Sequence, residues 1–92
     1  MSNLTYSVSA KTRTGVLLVG DGVIRVREPE GNLVVLRSDT GDVIGVEVRD
    51  IMQPVPRKAL DSLVTHDAPT ARVVDEFLKR IERVRRELKR RK

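Results

Sequence analysis

The stretch VVDEFLKRIERVRREL, residues 73–88, is the part of the sequence that decides the fold. Its apolar side chains recur at alternating steps of three and four residues, which is the spacing of one face of an α-helix. Neither glycine nor proline interrupts residues 70–92, so one long helix is predicted there. The apolar face of this helix, called the seam, consists of Val74, Phe77, Ile81, Val84 and Leu88.

The charged residues of this helix follow a second pattern. At four places an acidic side chain precedes a basic one by four residues, the orientation that favours ion pairing along a helix. The predicted pairs are Asp75–Lys79, Glu76–Arg80, Glu82–Arg86 and Glu87–Arg91. Basic side chains outside these pairs are expected to be available to phosphates. They are Arg72, Arg83, Arg85, Lys89, Arg90 and Lys92.

Positive charge is concentrated in the same part of the chain. Residues 1–52 contain six basic and seven acidic side chains, whereas residues 53–92 contain twelve and six, which gives the net charge of +5. A basic surface attracts polyanions, and contact with a nucleic acid backbone is salt-dependent and largely independent of base sequence. A non-enzymatic module that binds a polyanion, above all nucleic acid, is therefore the first functional hypothesis. Tyr6 and Phe77 are the only aromatic residues, too few to stack a row of bases.

The seam needs a packing partner, and the sequence leaves its identity open. It could dock on the protein's own sheet. It could also pair with a second copy or another protein, and such pairing should be antiparallel, because a parallel pair sets Arg80 against Arg85 whereas an antiparallel pair matches Arg80 with Glu87. A protein–protein interaction or assembly module, acting through the seam or through an open sheet edge, is the alternative functional hypothesis.

Residues 1–52 predict five short β-strands. Apolar and polar residues alternate over 4–11, the runs 16–19 and 33–36 are continuously apolar, and 23–27 and 44–48 alternate again. An Asp-Gly pair at 21–22 predicts a hairpin between the second and third strands. Connections this short leave no room for crossovers, so an antiparallel meander is expected, either a curled sheet or a small barrel.

A proline-containing linker joins the strands to the long helix. Pro54 and Pro56 end the strand pattern, and a short helix is predicted from Pro56 to about Val64. Asp67 is the predicted N-cap of the long helix. The expected fold is therefore α+β, with the meander over 1–52, the linker over 53–69 and the basic helix over 70–92, all in one structural unit.

Two short motifs suggest catalysis only at first sight. Asp39-Thr40-Gly41 matches the triplet of aspartic proteases, but the residues around it predict a turn. Ser62 and His66 lack a second orienting group and a visible oxyanion hole. With one histidine and no cysteine, a structural zinc site is not expected. We therefore predict neither enzymatic activity nor a cofactor, metal or small-molecule substrate.

The sequence also bears on location. No run approaches the ~20 apolar residues that a membrane-spanning helix requires. The first residues lack the charged-then-apolar pattern of a signal peptide. A cytoplasmic protein is expected.

Overall fold

The structure is a computed structural model that describes residues 4–20, 22–63 and 68–90. These residues form an α+β fold with five strands and two helices, as predicted. The elements are β1 (Thr5–Ser9), β2 (Thr14–Leu18), β3 (Val26–Glu30), β4 (Leu33–Arg37), β5 (Val43–Val48), α1 (Arg57–Leu63) and α2 (Ala68–Arg90).

The five strands form one antiparallel sheet in the order β1-β2-β5-β4-β3. Strands β3, β4 and β5 make a meander, and the β1–β2 hairpin joins it at β5. Of the two forms that the sequence left open, the sheet is the one that does not close into a barrel. Its two edges are β1 and β3.

The hairpin predicted at Asp21-Gly22 is wrong, because β5 and not β3 lies beside β2. Residues 19, 20 and 25 of the connection contact the ends of β5 and β4, and residue 21 lies outside the described residues. Val19 and Gly20 each donate a backbone hydrogen bond to the carbonyl of Ile44, at 3.0 and 3.3 Å, and Arg25 donates one to the carbonyl of Arg37 at 2.9 Å. The Asp-Gly turn signal depends only on neighbouring residues, whereas the strand that pairs with β2 is selected by burial of apolar residues that are far apart in the sequence.

Strand β3 begins three residues later than the sequence suggested, at Val26 rather than Val23. It extends to Glu30 and includes Pro29, which lies beyond the alternating run 23–27. Proline is compatible with an edge strand, where a missing donor need not break the ladder. The turn that follows is only Gly31-Asn32, and Gly31 adopts a positive φ of 60° that a glycine tolerates well.

The core lies between the sheet and α2. Strands β2, β4 and β5 contribute the fully buried Leu17, Leu33 and Val46. Gly15 in β2 allows the helix to come close, because a Cβ there would lie 3.0 Å from Cε1 of Phe77. This packing fixes the rotation of α2 about its axis and hence the side that it turns to solvent.

Candidate polyanion-binding surface

The seam of α2 is buried in the protein's own core. Val74, Phe77 and Ile81 are at most 1 % exposed and Val84 is 7 % exposed. Leu88 is partly buried against the same cluster. The helix therefore docks on its own sheet, the first of the two arrangements that the sequence left open. Pairing through the seam with another chain would require α2 to leave that sheet, so the predicted interaction seam is an internal packing surface.

The opposite side of α2 carries a line of cations, called the basic ridge. Successive residues of a helix are rotated by about 100°, so steps of three, four or seven residues stay on one side. The ridge side chains are separated by steps of seven, four, three and four residues, and all of them are exposed. At 1.5 Å per residue the ridge extends over about 27 Å. Its members are Arg72, Lys79, Arg83, Arg86 and Arg90.

The ion pairs predicted along the helix are not formed among the described residues. Asp75 instead contacts Arg57 at the start of α1, and this hydrogen-bonded pair raises the pKa of the Arg57 guanidinium. Neither Glu76 with Arg80 nor Glu82 with Arg86 makes a salt bridge in the part of α2 that the structure describes. Arg91, the predicted partner of Glu87, lies outside it. Lys79 and Arg86 were expected to be ion-paired and so were not counted among the available cations, but both are exposed on the ridge.

Arg85 was predicted to be available to phosphates, and the structure places its guanidinium against backbone carbonyls. Its side chain is partly buried. Nε donates a hydrogen bond to the backbone carbonyl of Ile51 at 2.6 Å, and a terminal guanidinium nitrogen donates to the carbonyl of Gln53 at 3.0 Å. The sequence signal was present, because Arg85 follows Ile81 by four residues and so flanks the seam.

The other predicted contact residues have different positions. Arg72, Arg83 and Arg90 belong to the ridge, and each is exposed. Lys89 is also exposed, but its helical position is about 100° from that of Arg90, to the side of the ridge. Lys92 lies outside the described residues. Three of the six predicted contact residues thus lie on the ridge, together with Lys79 and Arg86, which had been expected to form ion pairs.

A small cleft, called the Tyr6 cleft, opens between β1 and one flank of α2. Its volume is about 200 Å³, and it is lined by Tyr6, Glu76, Lys79, Arg80 and Arg83. Tyr6 as a residue is 37 % exposed. Its ring lies 5.9 Å from that of the buried Phe77, measured between centroids, with the two planes tilted by 56°. Arg83 and Lys79 belong to both the cleft and the ridge.

A second cleft, of about 390 Å³, separates α2 from the segment that leads into α1. Its charges are mixed, with Arg57, Lys79 and Arg85 facing Asp75 and Glu82. Two of these cations are already engaged, Arg57 with Asp75 and Arg85 with backbone carbonyls. This cleft therefore lacks the excess of available positive charge that the ridge has.

The motifs that suggested catalysis have structural roles where they are described. Residues 38–42 form a turn, as predicted, in which Gly41 donates a backbone hydrogen bond to the carbonyl of Ser38 and the Thr40 hydroxyl donates to Asp42. The Ser62 hydroxyl donates to the carbonyl of Ala59 at 2.8 Å. His66, its proposed partner, lies outside the described residues.

Within the described ranges 4–20, 22–63 and 68–90, acidic and histidine side chains do not gather in groups of three that could hold a metal ion. Over the same ranges no helix combines the length and the apolar character needed to cross a membrane. No protein-family model matches the chain, and neither the curated proteins nor the solved structures contain a significant match to it.

Proposed function

We propose that this protein binds a polyanion, the backbone of a nucleic acid, through the basic ridge of α2. One observation carries the proposal. Because the seam is docked on the sheet, the five ridge cations stand together on one exposed side of a single rigid helix. The ridge is thus a linear array of positive charge on a secondary-structure element that is itself held by the core.

The physical argument is counterion release. A lysine or arginine that neutralises a phosphate frees a condensed cation, and the logarithm of the binding constant falls by about 0.9 per phosphate contact for each tenfold rise in salt. Five contacts would give a slope of about −4.5 on duplex DNA. Binding of this kind positions a protein on the backbone without reading the sequence.

The four acidic residues of α2 border the ridge on both sides. By the same rotation of about 100° per residue, Glu76 and Glu87 lie on one flank and Asp75 and Glu82 on the other, and Asp75 is already paired with Arg57. A linear polyanion aligned with the helix axis would therefore meet cations, while a broader one would also meet carboxylates. This arrangement favours a single backbone strand running along α2.

The test compares two triple variants that lose the same charge. The ridge variant carries Lys79→Gln, Arg83→Gln and Arg86→Gln. The control carries Lys11→Gln, Arg49→Gln and Lys58→Gln, three exposed positions that are not part of α2. Anisotropy of a labelled oligonucleotide, measured over a series of salt concentrations, should show a slope reduced by about three for the ridge variant. Equal losses in both variants, or wild-type binding that salt does not weaken, would refute a defined ridge site.

Assembly through an open sheet edge is a second candidate, favoured by the difference between the two edges. β3 carries Pro29 and the charged Arg27, Glu28 and Glu30, which oppose pairing with another strand. β1, with the sequence TYSVS, carries neither charge nor proline. If β1 pairs between copies, light scattering should show a dimer that Ser7→Lys converts to monomer. A monomeric wild type at the highest soluble concentration excludes this candidate.

A further inference from the structure

We infer that the Tyr6 cleft is a stacking position for one unpaired nucleobase, so that the protein prefers single-stranded to duplex nucleic acid. The inference rests on the proposed function, because the cleft is useful only if a nucleic acid backbone lies on the ridge. It goes further by naming the class of ligand. One tyrosine and one phenylalanine are too few to stack a row of bases, and the structure offers a place for a single base.

The position of Tyr6 meets the first requirement for stacking, an aromatic ring that is both accessible and supported. More than a third of the surface of Tyr6 is exposed. On the core side, Phe77 is fully buried and its ring lies close to that of Tyr6. Phe77 therefore limits how far Tyr6 can move toward the helix, and the ring is presented at the surface by edge strand β1.

The second requirement is positive charge beside the ring, to neutralise the phosphates of the stacked nucleotide. Arg80 and Arg83 line the same cleft and lie three residues apart, which corresponds to about 4.5 Å along the helix axis. Arginine neutralises phosphates and also stacks on bases through its planar guanidinium. Since Arg83 is also a ridge residue, a strand on the ridge would pass the mouth of the cleft.

Size and strandedness decide the ligand. Pockets that enclose drug-sized molecules have volumes of ~300–1,000 Å³, and a cleft of about 200 Å³ is suited to a single ring system. In a duplex the bases are paired and stacked internally, so their faces are not available to Tyr6. In a single strand every base presents a face, and stacking tolerates any base. The chemistry therefore points to single-stranded nucleic acid of no fixed sequence.

The chain provides its own probe, because it contains one tyrosine and no tryptophan. Intrinsic fluorescence of the wild type is thus the emission of Tyr6. Titration with oligothymidylate should quench this emission, whereas a duplex of equal length and heparin, which has no bases, should bind with little quenching. Binding of oligothymidylate with unchanged tyrosine emission would overturn the stacking site without any mutation.

Variants at Tyr6 supply the second measurement. Tyr6→Leu should weaken binding of oligothymidylate about five-fold or more, the lower end of the loss found when one stacking ring is removed. Its affinity for heparin and for duplex, and its salt slope on duplex, should not change. Tyr6→Phe keeps the ring and should retain wild-type affinity for all three ligands.

The outcomes separate this inference from the proposal beneath it. If the wild type binds none of the three polyanions, the proposed function fails and the stacking site fails with it. If all three bind and Tyr6→Leu weakens them equally, or weakens none, the ridge stands and the stacking site alone is overturned. A loss confined to oligothymidylate supports both.

Discussion

Nε of Arg85 in α2 donates a hydrogen bond of 2.6 Å to the carbonyl oxygen of Ile51, which follows strand β5 and is fully buried. The same guanidinium reaches the carbonyl of Gln53. One charged side chain therefore satisfies two backbone acceptors of the segment that leaves the sheet. Its neighbour Arg86 points to solvent, so adjacent arginines serve the fold and the surface separately.

This division gives the first prediction, a comparison of Arg85→Gln with Arg86→Gln. Loss of the Arg85 hydrogen bonds should lower the free energy of unfolding by about 1–3 kcal/mol, because backbone carbonyls lose a charged donor. Arg86→Gln should change it by no more than ~0.5 kcal/mol. Urea denaturation followed by circular dichroism measures both. Polyanion affinity should respond in the opposite order, so a shared loss of stability or of affinity would contradict the assignment.

The second prediction concerns Ile81, in the middle of the seam. Ile81→Ala removes buried methyl groups and leaves a cavity, at a cost of about 2–5 kcal/mol. Ile81→Val should cost about 0.5–1.5 kcal/mol. Since the seam is buried within the chain, both changes should lower unfolding midpoints at all protein concentrations. A midpoint that still rises with protein concentration when Ser7→Lys is added to block pairing of β1 would show that the seam is buried between chains instead.

The third prediction tests the close approach of α2 to β2. Gly15→Ala should destabilise the fold by about 1–3 kcal/mol, because its methyl group would lie 3.0 Å from the Phe77 ring. In a Phe77→Leu background, which lacks the ring, Gly15→Ala should lower the free energy of unfolding by less than it does in the wild type. A double-mutant cycle in urea measures this coupling. Strict additivity of the two changes would mean that the helix does not lie on Gly15.

The fourth prediction concerns the acids beside the ridge. Glu82→Gln and Glu87→Gln remove carboxylates within about a Debye length, ~10 Å at 0.1 M salt, of the ridge cations. Each should strengthen polyanion binding modestly, by less than about ten-fold, and more at low salt than at high salt. Glu30→Gln in the edge strand β3 is the matched control and should have a smaller effect. Anisotropy titrations at two salt concentrations make the comparison.

The helix was predictable from sequence because its signal is local. The alternation of three and four residues between Val74 and Leu88 identifies α2 and the face that it buries, and the five strand-forming runs give the α+β class. Which strand lies beside β2 was not predictable in this way. The pairing of Leu17 with Val46 joins residues far apart in the chain, and no turn motif encodes it.

The surface was predictable only in part, and for a different reason. Spacing suggested that Asp75 pairs with Lys79, yet exposed ion pairs on a helix contribute only about 0.3–0.5 kcal/mol. Tertiary packing can override so small a free energy, and Asp75 forms its salt bridge with Arg57 of α1 rather than with Lys79. The exposure of Tyr6 was not predictable either, because an alternating strand pattern does not show whether a strand lies at the edge of the sheet, as β1 does.

The strand order also has a consequence for the rate of folding. β2 cannot pair with β5 until the chain between them, residues 19–42, has closed into a loop. The hairpins of β3, β4 and β5 need much shorter closures, so they are expected to organise first and to act as the template onto which β1 and β2 add. Proteins with more distant contacts fold more slowly. This sheet should therefore form later than a simple meander of equal size, with its N-terminal hairpin as the last part to join.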